Sequence, residues 1–144
     1  MKPKDYLALF CTVEKEIDRG IERIATLRRM AEGGAAKLRE ARVRTSPDPG
    51  RFQRFLDEAA DEETAVAELE RKKDRMLTEI GLSIARLPEK KQVRLMELRY
   101  MQGCPWADIA RRLHLCESQT FRLHLQALSL LPDFPEETLP SRQG

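Results

Sequence analysis

Residues 87–131 read LPEKKQVRLMELRYMQGCPWADIARRLHLCESQTFRLHLQALSLL, and this stretch decides the fold. Leu87-Pro88 is a break, because the proline ring pushes the preceding residue out of the helical region. A helix fits residues 89–102, with Val93, Leu95, Met96, Leu98 and Tyr100 supplying apolar surface at helical spacing. Gly103 is placed to end it as a left-handed C-cap. Cys104-Pro105 opens the next helix, with Pro105 at its first position. That helix, Trp106–Leu113, turns Ile109, Ala110 and Leu113 inward. After a tight turn at His114, Leu115 and Cys116, a last helix begins near Glu117 and runs to Leu131, before Pro132. Ala110 is small where two helices must cross closely, and Thr120, Leu123, Ala127 and Leu131 form the inner stripe of the last helix. Two helices at a wide angle across a short turn predict a helix-turn-helix, whose second helix enters the DNA major groove. The same pattern also fits a small three-helix packing element that binds no DNA.

The preceding sequence has a different character. Phe10, Ile17, Ile24 and Ala31 lie seven apart, and Val13, Gly20 and Leu27 alternate with them, which is an a/d seam over about three heptads. Gly33 and Gly34 lower helix propensity by about 1 kcal/mol each relative to Ala, so the helix either frays there or resumes. Arg44-Thr45-Ser46-Pro47-Asp48-Pro49-Gly50 is a turn, and Asp48-Pro49 suits the N-cap and first residue of a second long helix. Phe55, Ala59, Val66, Leu69, Met76, Ile80 and Leu87 trace the apolar face of that helix. The fold class expected is therefore all-α. A long, coiled-coil-like antiparallel hairpin over residues 1–87, with its turn at about 44–50, precedes a three-helix module over 88–131 and a flexible tail over 132–144. A two-helix hairpin leaves much of each stripe uncovered, and a second copy of the chain is the simplest cover, which predicts a homo-oligomer.

Composition narrows the function. Of the 144 residues, 35% are charged and 6% aromatic, which suits exposed helices better than a thick core. The net charge of +2 is too small to argue for nucleic acid, but residues 88–131 hold 7 Lys/Arg against 4 Asp/Glu. Three cysteines make no even disulfide set, and the start of the chain lacks the apolar run of a signal peptide. No stretch approaches the ~18 apolar residues of a membrane span. A cytoplasmic, nucleoid-associated protein with reduced thiols and no membrane contact is expected. No phosphate-cradling glycine loop, HExxH or nucleophile–His pairing is present, so neither an enzyme nor a cofactor is expected. Cys104, His114, Cys116 and His124 lack the paired spacing of a zinc site, so no metal is expected.

At 100° per residue, Ser118, Arg122, Leu125 and Ser129 point opposite Thr120 and Ala127. Gln119 and Gln126 flank one side of that face and Phe121 the other. The first turns of a recognition helix approach base edges most closely, which makes Ser118, Gln119 and Arg122 the candidate readers, with Gln126 beside them. Arg111, Arg112, Lys90 and Lys91 are candidate phosphate contacts, which position without specifying. Each of these arginines equally fits an ordinary solvated charge. Glu117 favours its helix N-terminus electrostatically. His124 falls near the inner face and reads as a packed, hydrogen-bonded histidine. Tyr100 and Trp106 read as core aromatics.

Leu87-Pro88, Leu98-Arg99-Tyr100, Gly103, Trp106, Asp108-Ile109-Ala110, Leu113, Phe121-Arg122-Leu123-His124 and Ala127-Leu128 together resemble region 4 of sigma-70-type factors. More closely, they are similar to phage-encoded sigma-region-4-like regulators of Gram-positive bacteria and their prophages, late-gene activators among them. The charged helix pair and the Thr45-Ser46-Pro47 turn share that resemblance. Cys104 and Cys116 depart from it, standing where Ser or Thr usually caps the next helix, as does Thr120, where Val is usual. The resemblance implies a sequence-specific, double-stranded DNA-binding transcriptional regulator of phage or prophage type. Such a regulator acts near a promoter, with host RNA polymerase a possible partner, and has no DNA-melting region of its own. Two other functions fit the same architecture: a small terminase-like DNA-packaging initiator, and a coiled-coil protein-interaction adaptor.

Overall fold

The computed structural model describes the backbone of residues 1–40 and 49–139, and the side chains of 1–33 and 50–139. Every regular element among them is helical: α1 (Pro3–Glu40), α2 (Pro49–Ile84), α3 (Lys90–Met96), α4 (Trp106–Leu113) and α5 (Glu117–Leu130), with a π-helical turn, Glu97–Met101, continuing α3. Gly33 and Gly34 do not interrupt α1, which runs unbroken for 38 residues. The expected turn at 44–50 lies outside the described residues as far as 48. Helix α2 opens at Pro49, where proline's missing N–H costs nothing.

The chain does not divide at residue 87. One compact unit is Val13–Lys72, and the other joins Met1–Thr12 to Lys73–Gly144. Each long helix therefore contributes to both.

In the first unit α1 packs on α2 along the seam seen in the sequence. Val13, Ile17, Leu27 and Ala31 are buried on one side, and Ala59, Val66 and Leu69 on the other. The pairing is antiparallel: Gly20 faces Val66, and Arg23 pairs with Glu62 at 3.6 Å. Gly20 is the point of closest approach, since a Cβ there would overlap the Val66 side chain. Arg28 pairs with Glu63 along the exposed edge. The stripes do not close completely. Ile21, Met30 and Leu56 stay exposed.

In the second unit the start of α1 and the end of α2 form one core with the C-terminal helices. Tyr6, Leu7, Phe10, Met76, Ile80 and Ile84 are buried, as are Leu95, Met96, Leu98, Ile109 and Ala127. Each aliphatic side chain so buried contributes about 1.5–3 kcal/mol. Helix α2 ends before Pro88 as expected, with Arg86 and Leu87 donating to the carbonyls of Ser83 and Ile84 in a tightened last turn. Glu89 is the N-cap of α3, and Gln92 reaches back to its backbone N–H.

Three local expectations are corrected. The helix expected over 89–102 widens at Glu97: Gln102 N–H reaches the Glu97 carbonyl five residues back, at 3.0 Å. Pro105 is not the first helical residue of α4 but its N-cap, with extended backbone (φ −63°, ψ 151°). Its carbonyl accepts from Ile109, so Cys104 stands outside the helix and caps nothing. The tail is not loose from Pro132. Phe134 is buried, stacks on Tyr6 with centroids 4.4 Å apart, and donates its N–H to the Met1 carbonyl at 2.8 Å. Residues 132–139 are thus held against the start of α1, with Glu137 also 3.9 Å from Arg75.

Candidate nucleic-acid interface

The interface is built on α4, α5 and the turn between them. Gly103 takes the left-handed conformation expected of it, at φ 68°, one residue past the C-cap Gln102. His114 repeats that conformation at φ 56°, where a non-glycine residue is uncommon. The αL residue lets Leu115 N–H fold back onto the Ala110 carbonyl at 2.9 Å, which ends α4 and starts the turn within three residues.

Helix α5 is oriented by its inner stripe. Thr120 and Ala127 are buried, and Leu131 closes the end of the helix. The Thr120 hydroxyl lies inside without cost, because it donates to the Cys116 carbonyl at 2.9 Å. With that face inward, Ser118, Gln119, Arg122 and Gln126 are all exposed, as are Arg111 and Arg112 on α4 and Lys90 and Lys91 on α3.

These eight residues are not equivalent. The Gln119 amide oxygen accepts from the backbone N–H of Cys116 at 3.1 Å, the reciprocal half of a capping box. A Gln bidentate to adenine needs both its oxygen and its nitrogen, so Gln119 reads a base only by giving up the cap. The other half of that box falls to a thiol sulfur, a weak acceptor. Arg111 pairs with Asp108 one turn before it, at the surface. Arg122, Arg112, Lys90 and Lys91 form no ion pair among the described residues. Lys90 and Lys91 sit in the first turn of α3, where the helix dipole disfavours a cation by about 0.3–1 kcal/mol. Helical stability therefore does not account for their placement.

Behind α5 lies an aromatic cluster. His124 Nε2 and the Tyr100 hydroxyl are 2.8 Å apart, and the His124 ring meets Trp106 edge-on with centroids 4.6 Å apart. The Arg99 guanidinium lies 4.6 Å over the Trp106 ring and donates to the Cys104 carbonyl at 3.2 Å. The widened turn at Glu97–Met101 presents the consecutive Arg99 and Tyr100 to these later helices. Burial, and secondarily Arg99, holds His124 below the usual histidine range, so the ring is neutral at pH 7. Burial, with a smaller effect from Cys11, pushes Tyr100 up to about 12. His124 is the packed, hydrogen-bonded residue read from the sequence. In the sequence Arg99 carries no role beyond its place in the Leu98-Arg99-Tyr100 string.

A groove of about 540 Å³ runs between α4 and α5, lined by Trp106, Ala107, Ala110, Glu117, Ser118, Thr120 and Phe121. Its one charged wall residue is Glu117, so it offers no cation to a phosphate. Among the described residues no group of three or more His, Cys, Asp or Glu side chains could hold a metal ion. No described helix is long and apolar enough to cross a membrane.

Among the described residues the protein is all-helical: a long helix packs on a second, and three short helices follow, whose outer surface carries Ser118, Arg122 and Gln126 beside the apolar Phe121 and Leu125. No protein-family model, curated protein or solved structure matches the chain.

Proposed function

We propose that this protein is a sequence-specific, double-stranded DNA-binding transcriptional regulator of phage or prophage type, with α4 and α5 as its helix-turn-helix. It acts near a promoter and melts no DNA itself. The observation that carries the reading is the two-sidedness of α5. Thr120 and Ala127 anchor it, while Ser118, Arg122 and Gln126 stand exposed opposite them, with Arg122 in no ion pair among the described residues. Arg122 is the base reader, suited to guanine. Arg112, Lys90 and Lys91 are phosphate contacts, and Arg111 becomes one by leaving Asp108.

In the full chain, Arg122→Ala costs about 1–3 kcal/mol at the preferred duplex and relaxes one position of its sequence. Arg112→Ala weakens all duplexes alike and lowers the salt slope by about one unit. Binding isotherms at several salt concentrations separate the two. An Arg122→Ala protein that binds every duplex as its parent does refutes the reading.

Ile21, Met30 and Leu56 are the surface for a second copy of the chain, with host RNA polymerase the further partner. Light scattering on the full chain tests self-association, and a strict monomer at high concentration removes it. The adaptor reading draws on one observation, the exposure of Phe121 and Leu125 on the outer face of α5.

A further inference from the structure

Phe121 and Leu125 are 61% and 48% exposed, although they lie on a helix anchored by the buried Thr120 and Ala127. Leaving two large apolar side chains half or more in water forgoes much of the stabilisation that their burial would give. They are four residues apart and so lie one above the other on a single edge of α5. Arg122 stands beside them, about 100° round from Phe121. The face is therefore an apolar edge next to a cation, with Ser118 and Gln126 completing it.

We infer that Phe121 and Leu125 read the C5-methyl groups of two thymines beside the guanine held by Arg122. This rests on the DNA-binding reading and names what that surface selects. The major groove presents one apolar group on any base edge, the thymine methyl, and phenylalanine is among the side chains that contact it. The spacing agrees. One helical turn of four residues rises about 6 Å, and two steps along a DNA strand cover about 6.8 Å. The two side chains thus address bases two steps apart. Charge agrees too. Arg122 forms no ion pair among the described residues, and an apolar pair beside an unpaired cation suits an anionic partner that carries methyl groups. An uncharged protein surface would leave that cation desolvated and without a partner.

The test uses the full chain and a randomised duplex pool. Duplexes enriched by binding are remade with deoxyuridine in place of thymidine, which removes the C5-methyl and leaves Watson–Crick pairing and the O4 acceptor intact. The enriched duplexes should carry thymine within two positions of a guanine. Deoxyuridine should weaken binding about fourfold at each contacted position, the effect of one buried methyl group. Phe121→Ala should bind the thymine and uracil forms equally at one position, and Leu125→Ala at the other. Both variants should keep the parent's thermal melt, because both side chains are exposed. A parent that binds both forms equally overturns the inference and leaves the DNA-binding reading standing. A Phe121→Ala protein that keeps the parent's preference for thymine also overturns it. A pool from which nothing is enriched removes the DNA-binding reading itself.

Discussion

Replacing Phe134 with Ala tests the docking of the C-terminal segment. Phe134 is 4% exposed and stacks on Tyr6 with an interplanar angle of 5°. Truncating a buried Phe in a closed core costs about 3–5 kcal/mol, and the aromatic pair adds about 0.5–1.5. Here the loss is capped at the net free energy of docking, because residues 132–139 can leave the surface and regain their conformational freedom. The contacts that remain are Glu137 with the exposed Arg75, the Met1 ammonium with Glu136 and with the carbonyl of residue 134, and the N–H of residue 134 with the Met1 carbonyl, each worth about 1 kcal/mol or less. A net loss of about 2–4 kcal/mol follows, measured by urea unfolding. Because Phe134 is the one buried residue among 132–139, ending the chain after Leu131 should cost the same within about 1 kcal/mol. Tyrosine ionisation gives an independent readout. The chain has two tyrosines, and burial pushes both Tyr6 and Tyr100 up to about 12. For Tyr6 the carboxylates of Glu137 and Glu79 add to burial. Native protein should therefore show almost no tyrosinate absorbance at about pH 10, where a free tyrosine is half ionised. Phe134→Ala should release one tyrosine's signal at that pH. The sign for stability follows: both groups stay protonated when folded, so stability is complete below about pH 10 and falls as pH rises towards 12. A Phe134→Ala protein with parental stability and silent tyrosines would refute the docking.

Gly20→Ala should destabilise by about 1 kcal/mol, since the new methyl overlaps Val66, whose branched side chain is stiff in a helix. The same change in a Val66→Ala background, or Gly33→Ala where nothing lies within 4 Å, should instead gain about 0.5–1 kcal/mol; like signs in both backgrounds would remove the close approach. Cys116→Ser should stabilise by a few tenths to about 1 kcal/mol by giving α5 a proper cap, while Cys104→Ser should be nearly neutral because Pro105 is the cap residue of α4; thermal melts rank them. Burial depresses His124, so stability is complete above about pH 6.5 and is lost as pH falls from there to the folded value. His124→Gln should flatten that part of the unfolding-versus-pH profile, and a slope that survives the change would assign it elsewhere. Tyr100→Phe, which leaves the His124 ring nitrogen without its partner, should cost about 1–2 kcal/mol by urea unfolding, and a loss near zero would mean that water replaces the hydroxyl.

By itself the sequence determined the elements. Gly103, the Trp106–Leu113 helix, the turn at 114–116, the inner stripe of Thr120 and Ala127 and the a/d seam of Phe10, Ile17 and Leu27 were legible, because each is written in neighbours a few residues apart. Their signals are helical period, glycine's access to positive φ and proline's restriction of its predecessor. The outward placement of Ser118, Arg122 and Gln126 followed from the same period. Tertiary structure decided what packs on what. No local pattern says that Phe134 meets Tyr6 from 128 positions away, or that residues 1–12 and 73–87 belong with the C-terminal helices rather than with the rest of the long pair. The π-helical turn at 97–101 escapes period arguments too, whereas the commitment of Gln119 to a cap is local, three residues from Cys116, and is masked only because a thiol stands where Ser or Thr usually opens that pattern. Propensity and periodicity act within one helix, whereas the burial of an aromatic ring depends on which distant surface has room for it.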